Sequence, residues 1–349
     1  FLILDEPTAR LDQQASDSFF SFLERAKQKG LTVVYISHRL EEIYRICDRI
    51  TVLRDGSKII TAPVNELPQT ELVKYMLGKE IKQQVPKESV PIGEVKLSVR
   101  NLYPKEKGEN INFDLKSGEI LGIVGSIGAG KSEVARAIFG ADPKRSGTIS
   151  ISGKEVKISA PQDSVGRGLA LIPEERRAQG LVGNESVRKN MTLASLKNKF
   201  CVGPSWIEQD KEIQAVKESI RALGIATPST EHEVQFLSGG TQQKVVVGKW
   251  LMSDSDIYIF DEPTKGIDVG GKYDIYKIIV DLARQGAGIL FISNELTEML
   301  ALCDRILVMF HGKIIKELQT EATNREELLF YVMGGRDYAE TSNNDKGNH

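Results

Sequence analysis

The segment Gly125-Ser126-Ile127-Gly128-Ala129-Gly130-Lys131-Ser132 has the spacing G-x-x-x-x-G-K-S. Its chemistry would be the cradling of a polyphosphate. Glycines let backbone N–H groups turn toward phosphate oxygens, and a helix opening at the lysine adds the positive end of its dipole. Lys131 would then reach the β and γ oxygens of ATP, and Ser132 would ligate Mg²⁺. A second group closes the apolar run Ile257–Phe260 with Asp261-Glu262. Asp261 suits a contact to the same metal through water, and Glu262 suits orienting or deprotonating an attacking water. An acidic pair standing alone also fits a solvated turn; beside a phosphate loop, the hydrolytic reading is the stronger one.

Side chains this far apart in sequence need strands to bring them together. Glu119–Val124 reads as a buried strand running into the loop, followed by an amphipathic helix through Phe139. Four apolar residues bury the strand before Asp261, so its carboxylate would emerge at the C-terminal edge of an open α/β sheet, where ligands of such sheets bind. A third segment, Leu237–Lys244 (LSGGTQQK), opens a predicted helix over Gln242–Met252. Ser238 and the N–H groups of Gly239 and Gly240 at a helix start form another anion site.

The chain also repeats itself. Asp5-Glu6-Pro7-Thr8 recurs as Asp261-Glu262-Pro263-Thr264, an offset of 256 that also carries Ile36-Ser37-His38 onto Ile292-Ser293-Asn294 and Cys47–Ile50 onto Cys303–Ile306. The first copy holds only its acidic strand and the part C-terminal to it. Applied to Val95, the offset puts the expected start of the first copy about 160 residues before Phe1. Phe1 enters an apolar run directly, which reads as a start in mid-domain. The expected organisation is residues 1–80 as the C-terminal part of a first copy, 81–94 as linker, 95–337 as a complete second copy and 338–349 as a polar tail.

Composition bounds the function. The 46 Lys and Arg nearly balance 48 Asp and Glu, so no global field draws the chain to nucleic acid. No apolar run approaches the ~20 residues of a membrane helix. The three cysteines stand isolated, without a Cys-x-x-Cys pair, which argues against a thiolate metal site.

The segment Leu237–Lys244, with the phosphate loop before it and the DEPT strand after it, resembles the ATPase subunits of ABC transporters, and the resemblance covers essentially the whole chain. It implies an α/β fold of the P-loop NTPase (RecA-like) type with a helical signature subdomain. In such proteins the signature loop, here Ser238, Gly239 and Gly240, completes the ATP site of the opposite cassette, so that nucleotide joins two cassettes. The tandem layout, Ile172–Arg177 (IPEERR) and Asp261–Gly270 (DEPTKGIDVG) look most like bacterial importers of monosaccharides such as ribose, galactose or xylose. That likeness implies a transmembrane permease as partner, a periplasmic or surface sugar-binding protein acting indirectly, no nucleic acid, and a peripheral position on the cytoplasmic face of the membrane. A tandem ABC protein working on ribosomes or nucleic acid is the alternative, but the short linker is not strongly basic. A nucleotide-gated scaffold without turnover is another.

Two positions depart from the family pattern. Glu174 stands where a Gln is usual, and Asn294 where a switch His is usual; Asn can hydrogen-bond a γ-phosphate oxygen but cannot take a proton. The first copy keeps its switch, His38. The resemblance therefore implies two unequal sites: a fast one using Glu6 and His38, and a slow one using Lys131, Glu262 and Asn294. Tyr103 is a candidate for stacking on adenine, and Arg176, Arg177 and Arg188 lie in the segment that faces the permease in the family, or else form a solvated face.

Overall fold

In a computed structural model of the protein, the structure describes residues 1–8, 13–37, 40–54, 57–68, 71–72, 75, 90–203 and 206–335. The chain divides into two compact units, Phe1–Gln84 with Asp268–Gly270, and Val85–Ile267 with Gly271–His349.

In the first unit, β1 (Leu2–Asp5) pairs in parallel with β2 (Val33–Ile36), joined through α1 (Gln13–Gln28). After α2 (Leu40–Ile46), β3 (Arg49–Arg54) and β4 (Ser57–Pro63) form an antiparallel pair. Leu23, Phe20 and Ile46 pack into one small core, and Ile43, Ile50, Val52, Leu67 and Leu72 into another.

The second unit opens with an antiparallel sheet in the order β6-β5-β8-β9, built from β5 (Val95–Pro104), β6 (Ile111–Lys116), β8 (Lys144–Ile151) and β9 (Lys154–Val156). Its principal sheet has six strands. These are β7 (Ile120–Gly125), β10 (Leu169–Ile172), β13 (Ile257–Asp261), β14 (Gly288–Ile292), β15 (Arg305–Phe310) and β16 (Lys313–Gln319). The order is β10-β13-β14-β7-β15-β16, parallel except for the last pair. Strands β7, β10, β13 and β14 are buried along their whole length, which is why their sequences run apolar without alternation. α3 (Lys131–Phe139), α8 (Val269–Arg284), α9 (Leu296–Leu302) and α10 (Arg325–Val332) supply residues to the same core.

Between β10 and β13 the chain builds a helical subdomain around its own core of Val187, Met191, Phe200, Val216, Val234 and Val245. Its elements are α5 (Val187–Thr192), a hairpin of β11 (Cys201–Val202) and β12 (Trp206–Ile207), α6 (Gln209–Leu223) and α7 (Gly239–Leu251). Arg188 ties it together, donating to Glu212 Oε2 at 2.6 Å and holding both Glu231 oxygens at 2.7 and 3.0 Å. The solvated-face reading of Arg188 is thereby corrected: its guanidinium is committed to two carboxylates inside the subdomain, one of them almost fully buried.

The sequence repeat is also a repeat of geometry. Leu2↔Val33 in the first unit matches Tyr258↔Ile289 in the second, and both antiparallel pairs carry a register shift at the same place, Val52/Leu53 and Val308/Met309. Glu6 and Glu262 share a left-handed backbone, φ 44 and 46, and each donates its N–H to the matching strand carbonyl, Ile36 or Ile292, at 2.9 Å.

Candidate functional site

Strand order brings the sequence motifs together. β7, β14 and β13 are consecutive neighbours, so their C-terminal ends stand side by side, and β10 stands next to β13. The loop after β7 carries Lys131, the loop after β14 carries Asn294, β13 ends in Asp261 with Glu262 next, and Glu174 follows β10.

The loop from Gly125 to Ser132 is shaped by close approach. A Cβ at Gly125 would lie 2.3 Å from the Met309 carbonyl oxygen, and Gly130, at φ 102, turns the chain into α3 through the left-handed region. α3 has no side-chain cap. Among the described residues, the N–H groups of Gly130, Lys131, Ser132 and Glu133 find no acceptor within the protein. This leaves a row of donors at a helix start, a ready place for a phosphate. Ala129 is buried and accepts from the Gly312 N–H, Gly128 O accepts from Lys107 Nζ, and Ser126 and Ile127 are exposed, Ile127 at 91%.

Lys131 is only 5% exposed. Its ammonium donates to Gly125 O at 2.9 Å, Ser126 O at 3.2 Å and Asn294 Oδ1 at 2.9 Å. Burial pulls its pKa down, while Glu262, Asp261 and Glu174 push it back up. Ser132 Oγ donates to Asp261 Oδ1 at 3.1 Å. Burial lifts Asp261 to about 6 against that hydrogen bond, and lifts Glu262 to about 8 despite Lys131. Glu262 Oε1 is buried without a hydrogen-bond partner. Glu174 is held by Lys265 at 2.5 Å, yet its charge still raises the pKa of Asp261 and Glu262. Apart from that Lys265 pair, one buried cation therefore serves several carboxylates. The excess of negative charge, the Ser132 hydroxyl beside Asp261 and the orphaned Glu262 oxygen fit a divalent cation.

The signature segment keeps to a different set of partners. Ser238 caps α7, its Oγ accepting from Thr241 N at 3.3 Å, and Gly239 packs so closely on Arg176 that a Cβ would fall 2.7 Å from Nη2. Arg176 donates to the carbonyls of Lys265 and Gly266 at 2.8 and 3.3 Å, and Arg177 Nε donates to Gln242 at 3.3 Å. Ser238, Gly239 and Gly240 make no hydrogen bond to the Lys131 loop among the described residues. Asp5 ends β1 of the other unit and Glu6 follows it, and His38 lies outside the described residues. One face of the Tyr103 ring is taken by Arg145, 5.8 Å from its centroid. Sequence reading missed Lys107, Arg176 as a link between the signature and the segment after the DEPT strand, and the buried Glu298. The repeat offered the signal for the last, since Glu42 falls on Glu298 at the same offset.

A family model described as ABC transporter matches residues 108–265. A ribose import ATP-binding protein, RbsA, of Geobacillus kaustophilus is 44% identical over 96% of this chain and 67% of its own length. The chain belongs to the ABC transporter family of ATP-binding proteins. Another relative from this ABC family, a ribose/galactose/methyl galactoside import ATP-binding protein of Rhizobium etli described as putative, is 41% identical over 96% of the chain and 63% of its length. The chain thus spans about two thirds of the length of these relatives. The ABC cassette fold recurs in solved structures. An ATP-binding cassette in its ADP conformation superposes with a TM-score of 0.54 at 21% identity, over 69% of this chain and 95% of that one. A cassette dimer in a post-hydrolysis state with ADP and Pi gives 0.56 at 18% identity, over 65% and 100%.

Proposed function

We propose that this chain binds and hydrolyses ATP to drive import of a monosaccharide through a separate permease. The observation that carries the proposal is the convergence of four loops on Lys131. A buried ammonium, a helix start with free donors, and Ser132 3.1 Å from Asp261 lie together at one sheet edge. The sugar-import names of the relatives support the transport reading over work on ribosomes. Among the described residues no helix is long and apolar enough to cross a membrane. In the import reading that the relatives' names support, the permease is another chain and this one its peripheral partner on the cytoplasmic side.

In this reading Gly125 to Ser132 hold the phosphates, Lys131 balances the charge of the β and γ oxygens, and Asn294 orders Lys131 through its Oδ1, its amide N–H₂ being the group that would donate to a γ-phosphate oxygen. Ser132 and Asp261 would hold Mg²⁺, which when bound neutralises phosphate charge. Glu262 orients the attacking water, and its raised pKa makes it a proton acceptor only once a nearby positive charge restores its ionised form. Ser238, Gly239 and Gly240 would close an ATP site on another cassette, since their contacts lie with Arg176 rather than with the loop. The His38/Asn294 difference supports a division of labour between a site served by Glu6 and His38 and one served by Glu262.

Titration with a fluorescent ATP analogue tests the reading. Wild type should bind in the micromolar range with Mg²⁺, and Lys131→Ala should lose roughly a hundredfold of that affinity. Equal affinity in both would refute it. In the protein extended to the full length of its relatives, Glu6→Gln should remove most turnover and Glu262→Gln much less; equal losses would refute the division of labour.

A further inference from the structure

Behind the site sits a carboxylate that the proposed reaction does not use. Glu298 is 4% exposed on α9, and its two oxygens collect four side chains. Thr264 Oγ1 donates at 2.8 and 3.0 Å, Ser293 Oγ at 2.8 Å, Tyr276 Oη at 2.6 Å and Lys272 Nζ at 3.1 Å. Thr264 comes two residues after Glu262, and Ser293 immediately precedes Asn294. One buried group thus bridges the segment that carries the acidic pair and the segment that carries the partner of Lys131.

The first unit repeats the device. Glu42, also buried, accepts from Thr8 at 2.6 Å, Ser37 at 3.1 Å and the Tyr35 hydroxyl at 2.8 Å. Glutamate, threonine and serine all match at the offset of 256. The tyrosine does not: Phe20 stands at the position of Tyr276, and Phe291 at that of Tyr35. Phe20 and Tyr35 pack at a tilt with centroids 6.2 Å apart, so in the first unit the ring at the position of Tyr276 lies against the ring that carries the hydroxyl. One copy supplies that donor from the strand, the other from the helix. A buried carboxylate needs its lone pairs filled, which explains why the donor survives the exchange of its host.

We propose that Glu298, with the Tyr276 hydroxyl, is a positioning residue that locks the segments after β13 and β14 into one unit and so fixes Glu262 and Asn294 against the phosphate loop. Glu262 holds a left-handed backbone, φ 46, that a non-glycine residue keeps only when its surroundings over-determine it. The Thr264–Glu298–Ser293 bridge and the Glu262 N–H bond to Ile292 O provide that. The coupling of the two segments rests on this bridge together with the Glu262–Ile292 hydrogen bond and the pairing of β13 with β14; its catalytic consequence rests on the ATP-hydrolysing reading above.

The test is a reciprocal exchange, Tyr276→Phe and Tyr276→Phe/Phe291→Tyr, with Glu298→Gln as a third variant. Hydrogen exchange is followed in residues 262–266 and 292–295, alongside ATP affinity and single-turnover hydrolysis. Tyr276→Phe should raise exchange in both segments together and lower the hydrolysis rate roughly tenfold, with ATP affinity within about twofold of wild type. Phe291→Tyr added to it should restore both, because the hydroxyl returns by the first unit's route. No rise in exchange, a rise in one segment only, or failure of the double variant to restore it would overturn the proposal. If Tyr276→Phe does not fold, Glu298→Gln must loosen both segments, and a rise confined to one counts against it. A wild type without hydrolysis would sink the hydrolytic reading, while exchange still decides the bridge. Wild-type turnover that Tyr276→Phe leaves unchanged despite coupled loosening would remove the catalytic role.

Discussion

Glu262→Gln should stabilise the nucleotide-free protein, and the gain should depend on pH. Burial raises the Glu262 carboxyl from its ordinary 4.5 to about 8, with Oε1 unpartnered. Below pH 4.5 the carboxyl is protonated in both folded and unfolded chains, so its ionisation favours neither. Between 4.5 and 8 the unfolded chain ionises and the folded one does not, so folding stability falls as pH rises, and the loss is complete above 8. At about 1.4 kcal/mol per tenfold change in proton affinity, that is roughly 3 kcal/mol at pH 7 and up to ~5 above pH 8. Asp261, lifted to about 6, adds a loss of the same sign that wild type and variant share. A gain of roughly 2 to 4 kcal/mol for Glu262→Gln at pH 8.5, shrinking to under about 1 at pH 4.5, is the expectation after allowing for the imperfect fit of an amide. Urea unfolding read by tryptophan fluorescence isolates the relevant unit, because the protein's two tryptophans, Trp206 and Trp250, both belong to it. A difference that is constant across pH, or a variant less stable than wild type at pH 8.5, would show that Glu262 is not held as a strained, desolvated acid.

Three further outcomes rest on single contacts. Arg188→Ala strands the nearly buried Glu212 and should destabilise the unit by about 3–5 kcal/mol, with much of that recovered in Arg188→Ala/Glu212→Met; circular dichroism with urea measures both. Gly125→Ala drives a methyl into the Met309 carbonyl and should cost more than about 3 kcal/mol, whereas Gly153→Ala, with open space around its Cβ, should cost about 1 for its positive φ alone. Ser238→Ala removes the cap of α7 and should lower the melting point in line with about 1 kcal/mol, while ATP affinity at the Lys131 loop of the monomeric chain stays unchanged.

Much of this was legible in sequence because the chemistry was written locally. Gly125 to Ser132 fix a backbone path and a cation within one turn, and an apolar run ending in Asp261-Glu262 announces a buried strand with acids at its tip. The repeat was legible because both copies keep the same offset without a gap, down to the paired strands and their register shift. What spacing could not tell was which distant side chains meet. Lys131 and Asn294 are 163 residues apart and touch only because β7 and β14 are sheet neighbours. Arg188 looked like a surface cation because burial of Glu212 is invisible until α5 and α6 pack.

The sequence by itself determined the family, the glycine-rich turn from Gly125 to Ser132 and the internal repeat, since each rests on residues adjacent in the chain or related by a constant offset. Only the tertiary structure decided the ionisation of Asp261 and Glu262, the engagement of Asn294 with Lys131, and the place of Glu298. Those depend on desolvation and on strand order, and the same tyrosine hydroxyl reaching its carboxylate from a strand in one unit and a helix in the other is a fact of packing that no local pattern encodes.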